Sequence, residues 1–367
     1  NSLVSGKEFK TITGSPSISS AIKRSGNYSM RANPTLSNAY ASVGFSNAIV
    51  GNIYARAYIY IASAPLIDTL IIQFSNAGTL QAGIILKTDL TLQGVAQAKA
   101  TVGSPSTALS LNTWYRVELW ADNPSAANGS TIFRVNGANF ASHTNTTPDV
   151  DAFDQFDVGI IEAGVTADLY FDDIAINDTA AGGNQTSWPG VGSFIHMYPD
   201  GDVSLGWSSI TPASPTTHYD KVNENTLDDA TSYIEDTTIN HVDIFSLQSS
   251  ASAGIGSSDT ITLVTSNARW QDVGLSSGTL TVGITDGIDT DNGTALDTGT
   301  ASIWVTNQDH GQSLTVAYRP GVTLYDDIGA GSGAITPSDL DGYRIRVANG
   351  DGDTYLVSGV WLGVEYV

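Results

Sequence analysis

The residues whose types and spacing could support chemistry are mostly acidic, and two of them are adjacent. Asp172 and Asp173 follow the apolar start of the stretch LYFDDIAIND, residues 169–178. Such carboxylates could catalyse glycoside hydrolysis, bind Ca²⁺ or only end a strand. Because neighbouring residues on a strand point to opposite faces, we do not expect this pair to chelate one ion by itself. We expect one carboxylate to face solvent and the other to cap a turn, while a Ca²⁺ site completed by another loop stays open.

A second candidate Ca²⁺ site lies in DTDNG, residues 289–293, where Asp289 and Asp291 resemble the start of a calcium loop. The Glu that closes an EF-hand loop is missing here. Ca²⁺ is therefore the one candidate cofactor, and its candidate ligands are Asp172, Asp173, Asp289 and Asp291.

The sequence offers little for catalysis. Retaining hydrolysis needs two carboxyl groups about 5 Å apart, which residues at i and i+2 or i+4 of one strand can provide. The six Glu residues are all at least eleven positions apart. The five His residues lie outside the usual nucleophile motifs. We therefore predict that the chain is not an enzyme.

The elements that must position these residues are strands. Runs such as IYARAYIYI (53–61), TLIIQFS (69–75) and TWYRVELWA (113–121) alternate in polarity, and 37 Gly residues punctuate the chain. This pattern predicts an all-β protein made of two tandem antiparallel β-sandwiches. The chain has no Cys, so it forms no disulfides.

Charge divides the chain into two parts. Residues 1–185 hold 10 Lys/Arg against 14 Asp/Glu, whereas residues 186–367 hold 5 against 23. The stretch 177–192, NDTAAGGNQTSWPGVG, has the composition of a connector. We predict domains at 1–182 and 183–367. The net charge of −22 argues against a nucleic-acid partner, and no apolar run is long enough to span a membrane.

One strand suggests a binding face. In WYRVELW, the side chains of Trp114, Arg116 and Trp120 share one face with Glu118, and the apolar residues between them face the core. Aromatic platforms flanked by charge suit a sugar or a neighbouring subunit. The alternative is a solvated sheet face on which the Trp rings cover the aliphatic parts of the charged side chains.

Residues 111–137, LNTWYRVELWADNPSAANGSTIFRVNG, resemble the central hairpin of concanavalin-A-like (laminin-G-like) jelly-roll sandwiches. RSGNYSMRAN (24–33) is similar to an early edge strand of that fold, and LYFDDIAIND to its last long strand. The resemblance covers about residues 8–180. It implies a jelly-roll sandwich for the first domain, with a tight Asn-Gly turn and a Ca²⁺ site of the kind such domains often carry.

The second half is similar to a module of predicted tailed-bacteriophage virion proteins. The resemblance rests on SWPGVGSFIHMYPDGDVSLGW (187–207), HYDKVNE (218–224), DDATSYI (228–234), HVDIFSL (241–247) and the closing 335–367. It implies a second, jelly-roll-like sandwich and a place on the surface of a virion.

From these observations we predict a non-enzymatic structural virion protein, either a capsid decoration protein or a tail-associated one. Its expected partners are other virion proteins, further copies of itself and a host glycan. The first alternative is a carbohydrate-binding adhesin that uses Trp114, Trp120 and Arg116. The second is a prokaryotic surface-layer or filament subunit.

Overall fold

The computed structural model describes most of the chain. The described residues are 9, 11–49, 51–123, 129–144, 152–179, 187–224, 228–273, 280–288, 290–291, 295–296, 304–306, 317–318 and 335–367. The chain forms two compact units, one up to Gly192 and one from Ser193 onward.

The described part of the first unit is built almost entirely from strands. They are β1 (Thr11–Gly14), β2 (Ser17–Ser19), β3 (Ser29–Ala32), β4 (Ser37–Ile49), β5 (Gly51–Ser63), β6 (Thr69–Asn76), β7 (Thr79–Leu86), β8 (Leu92–Ala96), β9 (Thr101–Val102), β10 (Trp114–Asn123), β11 (Ser130–Val135), β12 (Ala138–His143), β13 (Phe153–Val165) and β14 (Asp168–Asp178), with a 3₁₀ turn at Gln97–Lys99.

These strands form two seven-stranded antiparallel sheets. Sheet I has the order β12-β11-β10-β5-β14-β3-β2, and sheet II has the order β1-β4-β13-β6-β7-β8-β9. Alternate side chains of both sheets fill one core, including Val117 and Leu119 of β10 and Phe156 and Val158 of β13. The other half of each strand's side chains therefore faces away from the core.

The hairpin between β11 and β12 closes on a two-residue turn, and the first residue of that turn also bonds β10. Asn136 and Gly137 have φ angles of 51° and 82°, the left-handed values that a tight two-residue hairpin turn requires. The Asn136 side chain accepts a hydrogen bond from the backbone N–H of Arg116, and its own N–H donates to the Arg116 carbonyl. The Asn-Gly turn expected from the resemblance is present.

The described strands of the second unit are β15 (Ser193–Met197), β16 (Pro199–Ser204), β17 (Ser209–Thr211), β18 (Tyr233–Asp236), β19 (Val242–Leu247), β20 (Ile261–Asp272), β21 (Leu280–Thr285), β22 (Thr290–Asp291), β23 (Ala295–Leu296), β24 (Val305–Thr306), β25 (Ala317–Tyr318), β26 (Arg344–Asn349) and β27 (Tyr355–Tyr366). Its helices are short: α1 (Ser250–Ala253), α2 (Pro337–Leu340) and 3₁₀ turns at Tyr219–Lys221 and Asp229–Thr231.

Two antiparallel sheets form this unit as well. One has the order β17-β18-β27-β20-β24, with β15 also paired to β27 and β25 to β20. The other has the order β16-β19-β26-β21-β22, with β23 also paired to β21. The two sheets contribute to a single apolar core that includes Phe245, Trp270 and Tyr355. The prediction of an all-β chain made of antiparallel sheets is confirmed.

Some elements were not predicted from polarity alternation. The 13-residue strands β4 and β13 are absent from the predicted runs. Among the described residues, no helix has the length and apolar character needed to cross a membrane.

Candidate functional site

The candidate site is the face of sheet I that points away from the core, here called the outward face. On β10 this face carries Trp114, Arg116, Glu118 and Trp120, because the residues between them are buried in the core. The predicted division of WYRVELW between two faces is therefore present in the structure.

Four side chains on four different strands form a line across this face, which we call the aromatic row. Its members are Trp114, Tyr60, Tyr170 and Arg31. Strand register places them opposite one another in this order, from β10 through β5 and β14 to β3. The ring centroids of Trp114 and Tyr60 are 5.4 Å apart, and those of Tyr60 and Tyr170 are 5.9 Å apart. Trp114 and Tyr60 are half-buried, so each residue keeps some exposure to solvent.

An ion pair closes one end of the aromatic row. Arg31 donates two hydrogen bonds of 2.8 Å to the two carboxylate oxygens of Asp168, and its guanidinium lies 5.4 Å from the centre of the Tyr170 ring. The hydrogen bond to Asp168 raises the pKa of Arg31. Near the other end, the Tyr60 hydroxyl donates to the side-chain oxygen of Asn112. The row thus combines apolar ring surface with hydrogen-bonding groups at its edges.

Further along the strands, four charged residues form an ionic cluster: Arg56, Arg116, Glu118 and Arg134. Glu118 lies opposite Arg56 on one side and Arg134 on the other. Its carboxylate is 3.1 Å from Nε of Arg116 and only 1% of the residue is exposed. Burial raises the pKa of Glu118, although the charges of the neighbouring guanidiniums act in the opposite direction.

Two aromatic residues lie beyond the ionic cluster. Trp120 is opposite Tyr54, with ring centroids 6.3 Å apart, and its indole N–H donates to the side-chain oxygen of Asn52. Trp114 and Trp120 are six residues apart on one strand, which corresponds to about 20 Å at the usual rise per residue. The three residues predicted for carbohydrate binding therefore share a face but not a single subsite, and Arg116 is held within the ionic cluster.

The connector reaches back over this face. Its last six residues, 187–192, are here called the strap. The Trp188 ring lies 3.7 Å from the guanidinium of Arg134 and makes an edge contact with Tyr54 at 5.4 Å. Arg56 donates to the carbonyls of Pro189 and Gly190 at 3.4 and 3.3 Å.

Both ends of the strap are fixed as well. The side-chain amide of Asn177 donates to the Ser187 carbonyl at 2.7 Å, and Arg24 donates to the Gly192 carbonyl at 2.8 Å. A segment that composition predicted to be a plain connector is thus packed on the outward face.

Asp172 and Asp173 lie beside the strap on a β-bulge of β14. The register with β5 shifts between Asp172 and Ala175, and Asp173 has a φ of 47°. Both carboxylates consequently bind the same segment. Asp172 accepts from the backbone N–H groups of Arg24 and Ser25, and Asp173 accepts from the Arg24 guanidinium and the Ser25 hydroxyl.

The expectation that this pair faces opposite sides and ends a strand is therefore wrong, because the bulge rotates one residue and β14 continues to Asp178. Burial and the charge of neighbouring Asp173 raise the pKa of Asp172 to about 7.

The Ca²⁺ predictions have no support from a cluster of ligands. Within the described ranges, no group of three or more His, Asp or Glu side chains is placed to hold a metal ion. The Asp173 carboxylate instead accepts from the Arg24 guanidinium, and the Asp172 carboxylate accepts from the backbone N–H groups of Arg24 and Ser25. Asp289 lies outside the described residues, and Asp291 is described only as a backbone position of β22.

Comparison with protein-family models gave no match, and comparison with curated protein sequences gave none either. Among solved structures, the chain is similar to an endo-β-1,4-glucuronan lyase from the fungus Trichoderma reesei, at 15% identity. That alignment covers 49% of this chain and 96% of the lyase, with a TM-score of 0.38. The cellulose-induced protein Cip1 is similar at 17% identity over 51% of this chain and 92% of its own, with a TM-score of 0.35.

A mutant Trypanosoma rangeli sialidase displaying trans-sialidase activity is similar at 13% identity, with a TM-score of 0.33. The alignment covers 44% of this chain but only 27% of the sialidase. The neighbours have β-sandwich folds of the jelly-roll type, so the coarse form of the resemblance stated from sequence is confirmed, while no phage family is shown.

These neighbours contradict the prediction that the chain is not an enzyme, because a lyase and sialidases are among them. The sequence argument considered mainly carboxylates spaced along single strands. In the structure, charged groups on separate strands meet, as Glu118, Arg56 and Arg134 do. Residue spacing therefore does not exclude an active site in this fold.

Sequence reasoning found Trp114 but missed its partners Tyr60, Tyr170 and Arg31. The only sequence signal was that Tyr60 and Tyr170 lie in alternating runs, at the positions between the apolar residues. Their meeting depends on register between strands more than 50 residues apart in sequence, which alternation alone does not give.

Proposed function

We propose that the first unit binds an uncharged saccharide chain on the aromatic row. The observation that carries this proposal is the row itself: half-buried rings of Trp114 and Tyr60 in line with Tyr170 and the Arg31–Asp168 pair. A sugar ring has an apolar C–H face, which packs on an aromatic ring, and hydroxyl groups around its edge. Asp168 and Arg31 supply an acceptor and a donor where those hydroxyl groups would lie.

The preference for an uncharged ligand follows from charge. The Arg31 guanidinium is held by Asp168, and further along the face Arg24 is held by Asp173 and Arg116 by Glu118. A carboxylate on the ligand would have to compete with these protein carboxylates. Residues 1–185, with 10 Lys/Arg against 14 Asp/Glu, are also slightly acidic, which adds a weak repulsion of polyanions.

Affinity electrophoresis and calorimetry with linear β-1,4-linked oligomers of glucose, xylose and mannose test the proposal, with a glucuronic acid oligomer as the charged comparison. Trp114→Ala should weaken binding about tenfold or more, since one well-packed aromatic anchor commonly contributes at least 1.4 kcal/mol. Trp304→Ala, in the second unit, is the matched control and should leave binding unchanged. Loss of binding in both variants, or in neither, would contradict the site.

A structural role in a bacteriophage particle stays a prediction, as do self-association and a virion location. It is compatible with glycan binding, because a receptor-binding module can be carried on a particle. Mass spectrometry of purified particles would test it, and stoichiometric recovery of the chain is the expected result.

A further inference from the structure

The outward face contains a second aromatic surface, which the strap covers. Trp120 and Tyr54 form this surface at the far end of β10 and β5 from the aromatic row. Trp188 of the strap packs against Tyr54 and against Arg134, so its indole lies where a ligand ring would stack.

The polar contacts of the strap also resemble those of a ligand. Its backbone carbonyls at Ser187, Pro189, Gly190 and Gly192 accept hydrogen bonds from Asn177, Arg56 and Arg24. These contacts involve oxygen acceptors on guanidinium and amide donors, which hydroxyl oxygens of a saccharide can equally provide. The strap therefore presents one ring and several oxygens to the face, as a saccharide chain would.

We propose that the strap is an intramolecular occupant of the outward face, and that a saccharide chain long enough to run from the aromatic row to Tyr54 and Trp120 displaces it. This inference rests on the proposed function of the aromatic row. A short saccharide fills the row alone and leaves the strap in place, because the strap's contacts do not include the row. A long saccharide must compete with the strap, so its apparent affinity is reduced by the fraction of molecules in which the strap is closed.

The affinity of a short and a long ligand in the same variant tests the proposal. In the full chain, Trp188→Ala removes the contacts with Arg134 and Tyr54. We expect it to increase the affinity for the hexasaccharide of the oligomer that binds best about tenfold, the order of one partly buried cation–π contact. The affinity for the disaccharide should not change, and Trp304→Ala should alter neither.

Hydrogen exchange provides an independent readout on the unsubstituted protein. Saturating hexasaccharide should increase the exchange of the backbone amides in 187–192, whereas saturating disaccharide should not. Trp188→Phe, which keeps a ring on the face, should fall between the parent and Trp188→Ala in hexasaccharide affinity. Misfolding cannot explain such a graded gain in hexasaccharide affinity, since an unfolded variant would bind less rather than more.

The possible failures are distinguishable. If both oligomers bind with the same affinity in the parent and in Trp188→Ala, and the strap amides stay protected, the strap proposal is wrong while the aromatic row stands. If Trp114→Ala leaves binding unchanged, or no oligomer binds to any variant, the proposed function fails and the strap proposal fails with it.

Discussion

The ion pair between Arg24 and Asp173 gives the sharpest test of the structure around the candidate site. The Asp173 side chain is fully buried and that of Arg24 is only 21% exposed. Arg24 also lies 3.6 Å from the centre of the Tyr58 ring and donates to the Gly192 carbonyl. Removing the guanidinium while keeping the aliphatic stem, as in Arg24→Met, leaves a buried carboxylate without its cation.

Breaking a buried pair in this way costs about 3–5 kcal/mol, and the partial exposure of Arg24 places the expected loss near the lower end, at about 3 kcal/mol. For a unit of this size, that corresponds to a fall in Tm of roughly 6–12 °C. Arg31→Met is the matched control, because the Arg31 side chain is 38% exposed in its pair with Asp168. An exposed pair contributes at most about 1 kcal/mol.

A double-mutant cycle isolates the interaction. Arg24→Met, Asp173→Asn and the double variant are compared by urea unfolding, with hydrogen exchange used to assign the loss to the first unit. The double variant should be more stable than the sum of the two single losses predicts, by about 1.5 kcal/mol or more. Additive losses, or a loss for Arg24→Met no larger than for Arg31→Met, would refute the buried pair.

Three further predictions concern single residues. Burial raises the pKa of Glu118 in the folded protein. The stability that Glu118 contributes is therefore complete below its unfolded pKa of about 4.3 and is lost as the pH rises through the raised value. Glu118→Gln should flatten the dependence of urea unfolding on pH, and parallel pH profiles for the parent and the variant would contradict this. At Gly159, with φ 135°, an added Cβ would lie 2.5 Å from a carbonyl oxygen of β4, whereas at Gly78, with φ 78°, nothing lies within 4 Å. By calorimetry, Gly159→Ala should therefore cost about 3 kcal/mol against about 1 kcal/mol for Gly78→Ala, and equal losses would argue against the close approach of β4 and β13. The hydrogen bond to Asp243 raises the pKa of His218. The stabilising effect of His218 is therefore complete below about pH 6.5 and is lost as the pH rises through the raised pKa. The corresponding step in stability against pH should be absent in His218→Gln, and a step that persists in this variant would belong to another group.

The part of this structure that follows from sequence is what depends on local alternation. The period of two placed Trp114 on one face of β10 and Val117 on the other without knowledge of any partner strand. It failed for β4, whose inward residues include Ala39 and Ala41. Small residues carry little hydrophobic signal, and only burial under a neighbouring sheet distinguishes such a strand from a loop.

The rest depends on contacts between distant parts of the chain. The bulge at Asp173 requires a left-handed backbone. Asp tolerates this conformation, but the presence of an Asp in the sequence does not predict it. The docking of Trp188 depends on Arg134 and Tyr54, which lie more than 50 residues upstream of it. Composition described the connector correctly as polar and Gly-rich, but it contains no information on where such a segment rests.

The alternation in β5 and β10 has a consequence for how this protein can change. Because core and surface residues occupy alternate positions of the same strands, the residues proposed for saccharide binding and the residues of the core are encoded by separate sets of codons within one stretch of gene. A library that randomises positions 60, 114 and 170 leaves every inward side chain untouched. The first unit is therefore a scaffold whose outward face can be changed by mutation while the hydrophobic interior is inherited unaltered.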